Sequence, residues 1–168
     1  MKKFNIYLAG HSNSKKQEFV EAKTNQKFQG SIQTVGFDSV LEEYKDCKFT
    51  IFDTPEQERY SSLSVDSVKR ADGILIVFSV YDKDTFNNLI SEWINRLGDT
   101  IDLKRFPVVL VGIKDDDQKE KAIKNEEVEN LGIVKDNNIP YFEATINSAD
   151  AELVLTKLYD TIIEKKLK

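Results

Sequence analysis

The stretch Gly10-His11-Ser12-Asn13-Ser14-Lys15-Lys16-Gln17 sets a lysine six residues after a glycine, directly behind the apolar run Phe4 to Ala9. Much of a phosphate-binding loop is present in that spacing. The working pattern is Gly-x4-Gly-Lys-Ser/Thr: glycines let backbone N–H groups wrap phosphates, the lysine reaches the outer phosphates, and the hydroxyl binds Mg²⁺. Here Lys15 stands where the second glycine belongs, and Gln17 where the hydroxyl belongs. Taken alone, the spacing better suits an ordinary polar loop with lysines on a helix's first turn.

Further segments carry chemistry beyond other apolar runs. Asp53-Thr54-Pro55-Glu56-Gln57-Glu58-Arg59 follows Phe49-Thr50-Ile51-Phe52. Val111-Gly112-Ile113-Lys114-Asp115-Asp116 closes a second run, and Glu143-Ala144-Thr145-Ile146-Asn147 a third. For Asp115-Asp116-Asp117 two readings stand: a base-reading loop or a solvated acidic one.

Together these residues resemble the motifs of Ras-type small GTPases. Asp53 to Glu58 is similar to Asp-Thr-Ala-Gly-Gln-Glu, and Ile113-Lys114-Asp115-Asp116 to Asn-Lys-x-Asp. Phe28 to Asp38 resembles the first switch of Rab proteins, with its Thr-Ile-Gly-x-Asp hallmark, although the Phe28-to-Thr34 spacing is one residue short. Arg59-Tyr60-Ser61-Ser62-Leu63, Arg70-Ala71-Asp72-Gly73-Ile74 and Val77 to Phe86 continue the likeness in family order. The resemblance implies roles. Gly10, Ser12, Asn13, Ser14, Lys15, Lys16, Gln17, Phe28, Lys114, Asp116, Thr145 and Ile146 would line a guanine-nucleotide site. Thr34 and Asp53 would support Mg²⁺, and Gln57 would place the attacking water.

Lys15, Gln17, Glu56 and Ile113 depart from that family pattern at one ligand. Each lost contact costs about 1–3 kcal/mol. The amide oxygen of Gln17 reaches Mg²⁺ only on a longer arm than a hydroxyl, and this cation demands near-ideal geometry. A carboxylate at Glu56, about 4 Å from a phosphate, is repelled by roughly 1–4 kcal/mol. Pro55 stiffens the same hinge and removes a donor. Two readings of Glu56 stand: it pairs with Lys16 or Lys15, so that a carboxylate takes the phosphate's position, or it is simply solvated on a mobile loop. Ile113 replaces an Asn that ties loop, base and phosphate loop together.

The elements that must position these residues alternate between strand-like and helix-like. Expected strands cover Phe4–Ala9, Gly36–Tyr44, Lys48–Phe52, Gly73–Val80, Phe106–Gly112 and Ile139–Glu143. Gly73 to Val80 is nearly continuously apolar, as in a strand buried on both faces. Expected helices run over Lys15–Lys23, from an Asp84 N-cap to a Gly98 stop, over Asn125–Val134, and along the stripe Val154, Leu155, Leu158, Ile162. The expected fold is α/β, a doubly wound, mostly parallel six-stranded sheet flanked by five helices, which the resemblance identifies as the Ras-like G domain of P-loop NTPases. Ligands in such sheets bind beyond the strands' carboxyl ends.

With 168 residues, 40% of them hydrophobic, and only 3 Pro and 7 Gly, one domain over residues 1–168 is expected. A net charge of -5 argues against phosphate-driven nucleic-acid binding. Lysines cluster at the ends, Lys2-Lys3 and Lys165-Lys166-Lys168, as solvated termini. One cysteine, Cys47, excludes an internal disulfide and suits a reducing compartment. No run reaches the roughly 20 residues of a membrane span. The chain ends without a prenylatable cysteine, so no intrinsic membrane anchor is expected and a cytoplasmic location is.

The functional expectation is a pseudo-GTPase: a G-domain scaffold that binds a protein partner through residues near 30–40 and 55–70. The alternative is a Rab-like GTPase that hydrolyses GTP to GDP in vesicle traffic or signalling, with GTP/GDP and Mg²⁺ as its ligands. A receiver domain needs an acidic pair after the first strand, where Ala9-Gly10 stands. A flavodoxin reading leaves Asp53 to Gln57 unexplained.

Overall fold

Alternating burial along the apolar runs builds a sheet with a core on each face. A computed structural model describes residues 1–11, 14–30, 38–53, 68, 70–89 and 94–167. The strands are β1 Lys2–Ala9, β2 Gln29–Gly30, β3 Asp38–Tyr44, β4 Cys47–Asp53, β5 Gly73–Ser79, β6 Val108–Ile113 and β7 Tyr141–Ala144. The described helices are α1 Lys16–Thr24, α2 Lys83–Asn88, α3 Asn95–Thr100, α4 Asn125–Glu129, α5 Gly132–Asp136 and α6 Ser148–Lys166.

Sheet order is β2-β3-β4-β1-β5-β6-β7. β1 pairs in parallel with β4 and β5, and β5-β6 and β6-β7 continue in parallel. β3 runs antiparallel to β4, with Asp38 opposite Asp53. Ile6, Leu8, Phe49, Ile51, Leu75, Val77, Val109 and Val111 form one core with Phe19 and Val20 of α1 and Leu155, Leu158, Tyr159 and Ile162 of α6. Ile74, Ile76, Phe78, Val108 and Leu110 point the other way, onto Phe86, Leu89, Ile94 and Leu97. This period-2 division is what a sheet covered on both faces requires.

All six expected strands are present. The two-residue β2 extends the antiparallel edge through Gln29 opposite Ser39. The helices are less regular than expected. Asp82, not Asp84, caps α2, because its carboxylate accepts hydrogen bonds from the Thr85 N–H at 3.0 Å and the Thr85 hydroxyl at 2.6 Å. Gly98 lies inside α3 instead of ending it; a Cβ there would lie 3.4 Å from both Ile133 and Leu103. The helix expected over 125–134 is divided, since Leu131 is extended (φ -59°, ψ 132°) between α4 and α5. The final strand begins at Tyr141, two residues later than expected.

Candidate functional site

The loop from Gly10 to Lys15 leaves the carboxyl end of central β1, between the ends of β4 and β5. Gly10 has φ 145°, and a Cβ on it would sit 2.1 Å from the Val77 carbonyl oxygen, so only glycine fits beside β5. Ser14 is buried, and both its N–H (3.0 Å) and its hydroxyl (2.6 Å) donate to the His11 carbonyl. Lys15 takes the left-handed conformation (φ 61°, ψ 36°) at the position where the pattern has glycine. That backbone conformation is unfavourable for a residue with a Cβ.

The side chains beyond this loop are held by carboxylates. Lys16 is 5% exposed, and its Nζ lies 2.6 Å from Asp53 Oδ1 at the end of β4. The contact is an ion pair; that oxygen is buried without an aligned hydrogen bond. Gln17 donates its amide N–H to the second oxygen, Asp53 Oδ2. Lys15 Nζ lies 2.5 Å from Asp115 Oδ2 beyond β6, and the hydrogen bond with Asp115 raises the lysine's pKa. Counter-charge therefore comes from Asp53 and Asp115. Glu56, the source in one of the two readings, lies outside the described residues, as do Ser12, Asn13, Thr34 and Gln57.

The loop after β6 is fixed by a residue that sequence reasoning did not single out. Tyr81 donates its hydroxyl to the Asp116 carbonyl at 2.7 Å and accepts the Asp116 N–H at 3.0 Å. Ile113, standing where an Asn would tie this loop, is 1% exposed in the core. Tyr81 and the Lys15–Asp115 pair thus do from outside what Ile113 cannot do. Asp116 Oδ1 accepts the Gln118 N–H at 2.9 Å. Lys114 anchors through its N–H to the Ala144 carbonyl at 2.8 Å. A cavity of about 670 Å³ opens on this side, lined by Ser14, Lys15, Tyr81, Ile113, Asp115 and Lys119 among others.

Phe28 and Ile146 both pack against the α1/α6 core, which places them on one face of the sheet. The Phe28 N–H donates to Glu21 Oε2 at 2.9 Å. Thr145 is occupied locally: its N–H (2.8 Å) and hydroxyl (3.0 Å) both donate to Asp150 Oδ2, and Asn147 caps α6 through the Asp150 N–H at 2.8 Å. The Thr145 N–H bond holds the Asp150 carboxyl below its ordinary range. Glycine-bounded loop, buried lysine, strand-end aspartate and Lys114-x-Asp116 thus converge on one edge. Among the described residues no cluster of His, Cys, Asp and Glu is arranged to hold a metal ion.

A doubly wound sheet with this loop at its switch point defines a nucleotide-site scaffold of the P-loop type. The chain matches the Ras family over residues 5–168, and it belongs to that family. It is 30% identical over 172 residues to Ras-related protein Rab7 of Pisum sativum, covering 97% of this chain and 82% of the relative. It is 29% identical over 150 residues to Ras-related protein RABC2a of Arabidopsis thaliana, covering 84% and 69%. A human relative, EF-hand calcium-binding domain-containing protein 4B, is 27% identical over 150 residues, 86% of this chain and 20% of its own length. No helix among the described residues is long and apolar enough to cross a membrane.

Proposed function

We propose that the chain is a pseudo-GTPase: a Ras-fold regulatory module with an impaired guanine-nucleotide site, acting in the cytoplasm on a protein partner at the surface near residues 30–40 and 55–70. The observation that carries this reading is the Lys16–Asp53 pair. The ammonium that would meet outer phosphates and the carboxylate that would steady Mg²⁺ neutralise each other.

On this reading the described residues fit a magnesium nucleotide poorly. Gln17 offers Asp53 an amide where the motif offers Mg²⁺ a hydroxyl. Lys15 turns its charge to Asp115, Ile113 brings hydrocarbon to the base loop, and Asp150 engages Thr145. We therefore derive no catalytic step through nucleotide or metal.

The test is to denature the purified protein and resolve the supernatant by anion exchange. The expected result is no stoichiometric guanine nucleotide, and no rise in melting temperature with Mg²⁺ and GTP. Stoichiometric GDP or GTP overturns the reading. The second reading, GTP hydrolysis in vesicle traffic or signalling, is favoured by the retention of Lys114 and Asp116 at the end of β6. Turnover that vanishes in Gln57→Leu would establish it.

A further inference from the structure

Gly98 stands inside α3 with no folding reason for being glycine. Its φ is not in the left-handed region, and a Cβ would make only ordinary contact with Ile133 and Leu103. Within a helix glycine is disfavoured against alanine, because the freer unfolded chain loses more on folding. What the missing side chain does is leave room in the floor of a groove of about 470 Å³, which α3 and the segment after it form with α5.

The floor is apolar, with Ile101, Leu103 and Ile133 beside Gly98, and the rim is acidic. Asp99 and Asp102 are both exposed, and among the described residues no lysine or arginine lines the groove. Asp102 Oδ1 accepts the Lys104 N–H at 3.1 Å, which orients the carboxylate without cancelling its charge. Arg105 is only loosely beside it, Nε to Oδ2 at 3.6 Å, with a 90% exposed side chain. Asn137 donates its amide to the Ile133 carbonyl at 2.7 Å, which fixes the side chain and leaves its own carbonyl oxygen as a further acceptor.

Two carboxylates, an amide oxygen and a hydrocarbon floor are complementary to a flat cation on an apolar stem. A guanidinium offers five donors in a fixed fork, and its stem packs along apolar surface. The rim is too exposed to enclose a free ligand, since small-molecule sites bury most of their ligand's surface. The remaining contact area must come from whatever carries the cation. We infer that the groove between α3 and α5 receives an arginine side chain presented by a protein partner. The site uses none of residues 30–40 or 55–70, and it does not depend on whether nucleotide binds.

Titration of the isotope-labelled whole chain with a short peptide, one arginine flanked by alanine and serine, tests it by amide chemical shifts. Saturable shifts are expected at Asp99, Ile101, Asp102, Ile133 and Asn137. The citrulline peptide, which keeps the shape and loses the charge, should leave these amides unmoved. The lysine peptide should bind about threefold or more weakly. Asp99→Asn/Asp102→Asn should weaken the arginine peptide by about tenfold or more. Gly98→Leu keeps both carboxylates and fills the floor; it should weaken binding comparably, and it stands in if the first variant folds poorly. Glu120→Gln, an exposed carboxylate outside the groove, should leave binding unchanged. Absence of saturable shifts at these amides overturns the inference, as does undiminished binding by the lysine peptide or by either folded variant. Shifts spread evenly over acidic residues elsewhere would assign the attraction to net charge. Equal affinity for N-acetylarginine amide would assign the groove to a free small molecule. Either of these last results overturns the protein assignment.

Discussion

Lys16 Nζ sits 2.6 Å from Asp53 Oδ1, so the first residue of α1 is bound to the last residue of β4 across the carboxyl edge of the sheet. With the Lys16 side chain 6% and the Asp53 side chain 13% exposed, each charge depends on the other. Asp53→Ala strands a buried ammonium and is expected to cost about 3 kcal/mol. Urea unfolding should show a lower midpoint at unchanged slope. The double variant Lys16→Met/Asp53→Leu should recover most of the loss, because it removes both charges.

Tyr81 clamps both backbone polar groups of Asp116 with one hydroxyl. Tyr81→Phe removes both bonds and leaves the ring in place. A loss of about 1–2 kcal/mol is expected. Amide exchange should accelerate at Asp116 more than along β6, which keeps its ladder to β5 and β7.

At Lys15 two effects oppose each other: a left-handed backbone and an exposed ion pair with Asp115. Glycine relieves the first and forfeits the second. Since an exposed pair contributes about 0–1 kcal/mol and the left-handed conformation costs about 1–2 kcal/mol, Lys15→Gly should match or exceed the parent in stability. Lys15→Ala keeps the strain without the pair and should fall below Lys15→Gly by about 1 kcal/mol. Paired denaturation curves decide it.

Asp150 gives a pH dependence of defined sign. Its carboxyl is held below the ordinary range, first by the Thr145 N–H. A depressed folded value means that the stabilisation is complete above the unfolded Asp pKa and is lost as pH falls through the folded one. Asp150→Ala should therefore trail the parent by about 1 kcal/mol at neutral pH. That gap should narrow in acid, as followed by urea midpoints across pH.

The positions of the strands along the chain were legible because each apolar run is short and bounded by polar residues; Gly73 to Phe78 is in addition buried throughout. Helix ends were harder. Asp82 and Asp84 are equally good cap residues by type, and only the folded positions of the Thr85 N–H and hydroxyl distinguish them. Gly98 reads as a stop in sequence, yet it lies inside α3, where a Cβ would make only ordinary contact with Ile133 and Leu103. Within the site, Gly10 and Lys16 stood out by spacing, and Asp53 and Lys114 by resemblance to the family's motifs. The pairing of Lys15 with Asp115 did not, because it joins loops from different strands. Tyr81 carried no signal of its own: a tyrosine after an apolar strand is ordinary until its hydroxyl is seen between two backbone groups. Thr34, Glu56 and Gln57 lie outside the described residues.

Gly10 is required by its neighbour Val77, whose carbonyl oxygen a Cβ would meet at 2.1 Å. That demand comes from two strands lying side by side and involves no ligand. Selection for folding alone would retain the residue in a descendant that had abandoned nucleotides altogether. The first glycine of a phosphate loop is thus a fossil of architecture as much as a mark of cargo. Patterns keyed to it will gather relatives by ancestry while leaving their present chemistry to be measured.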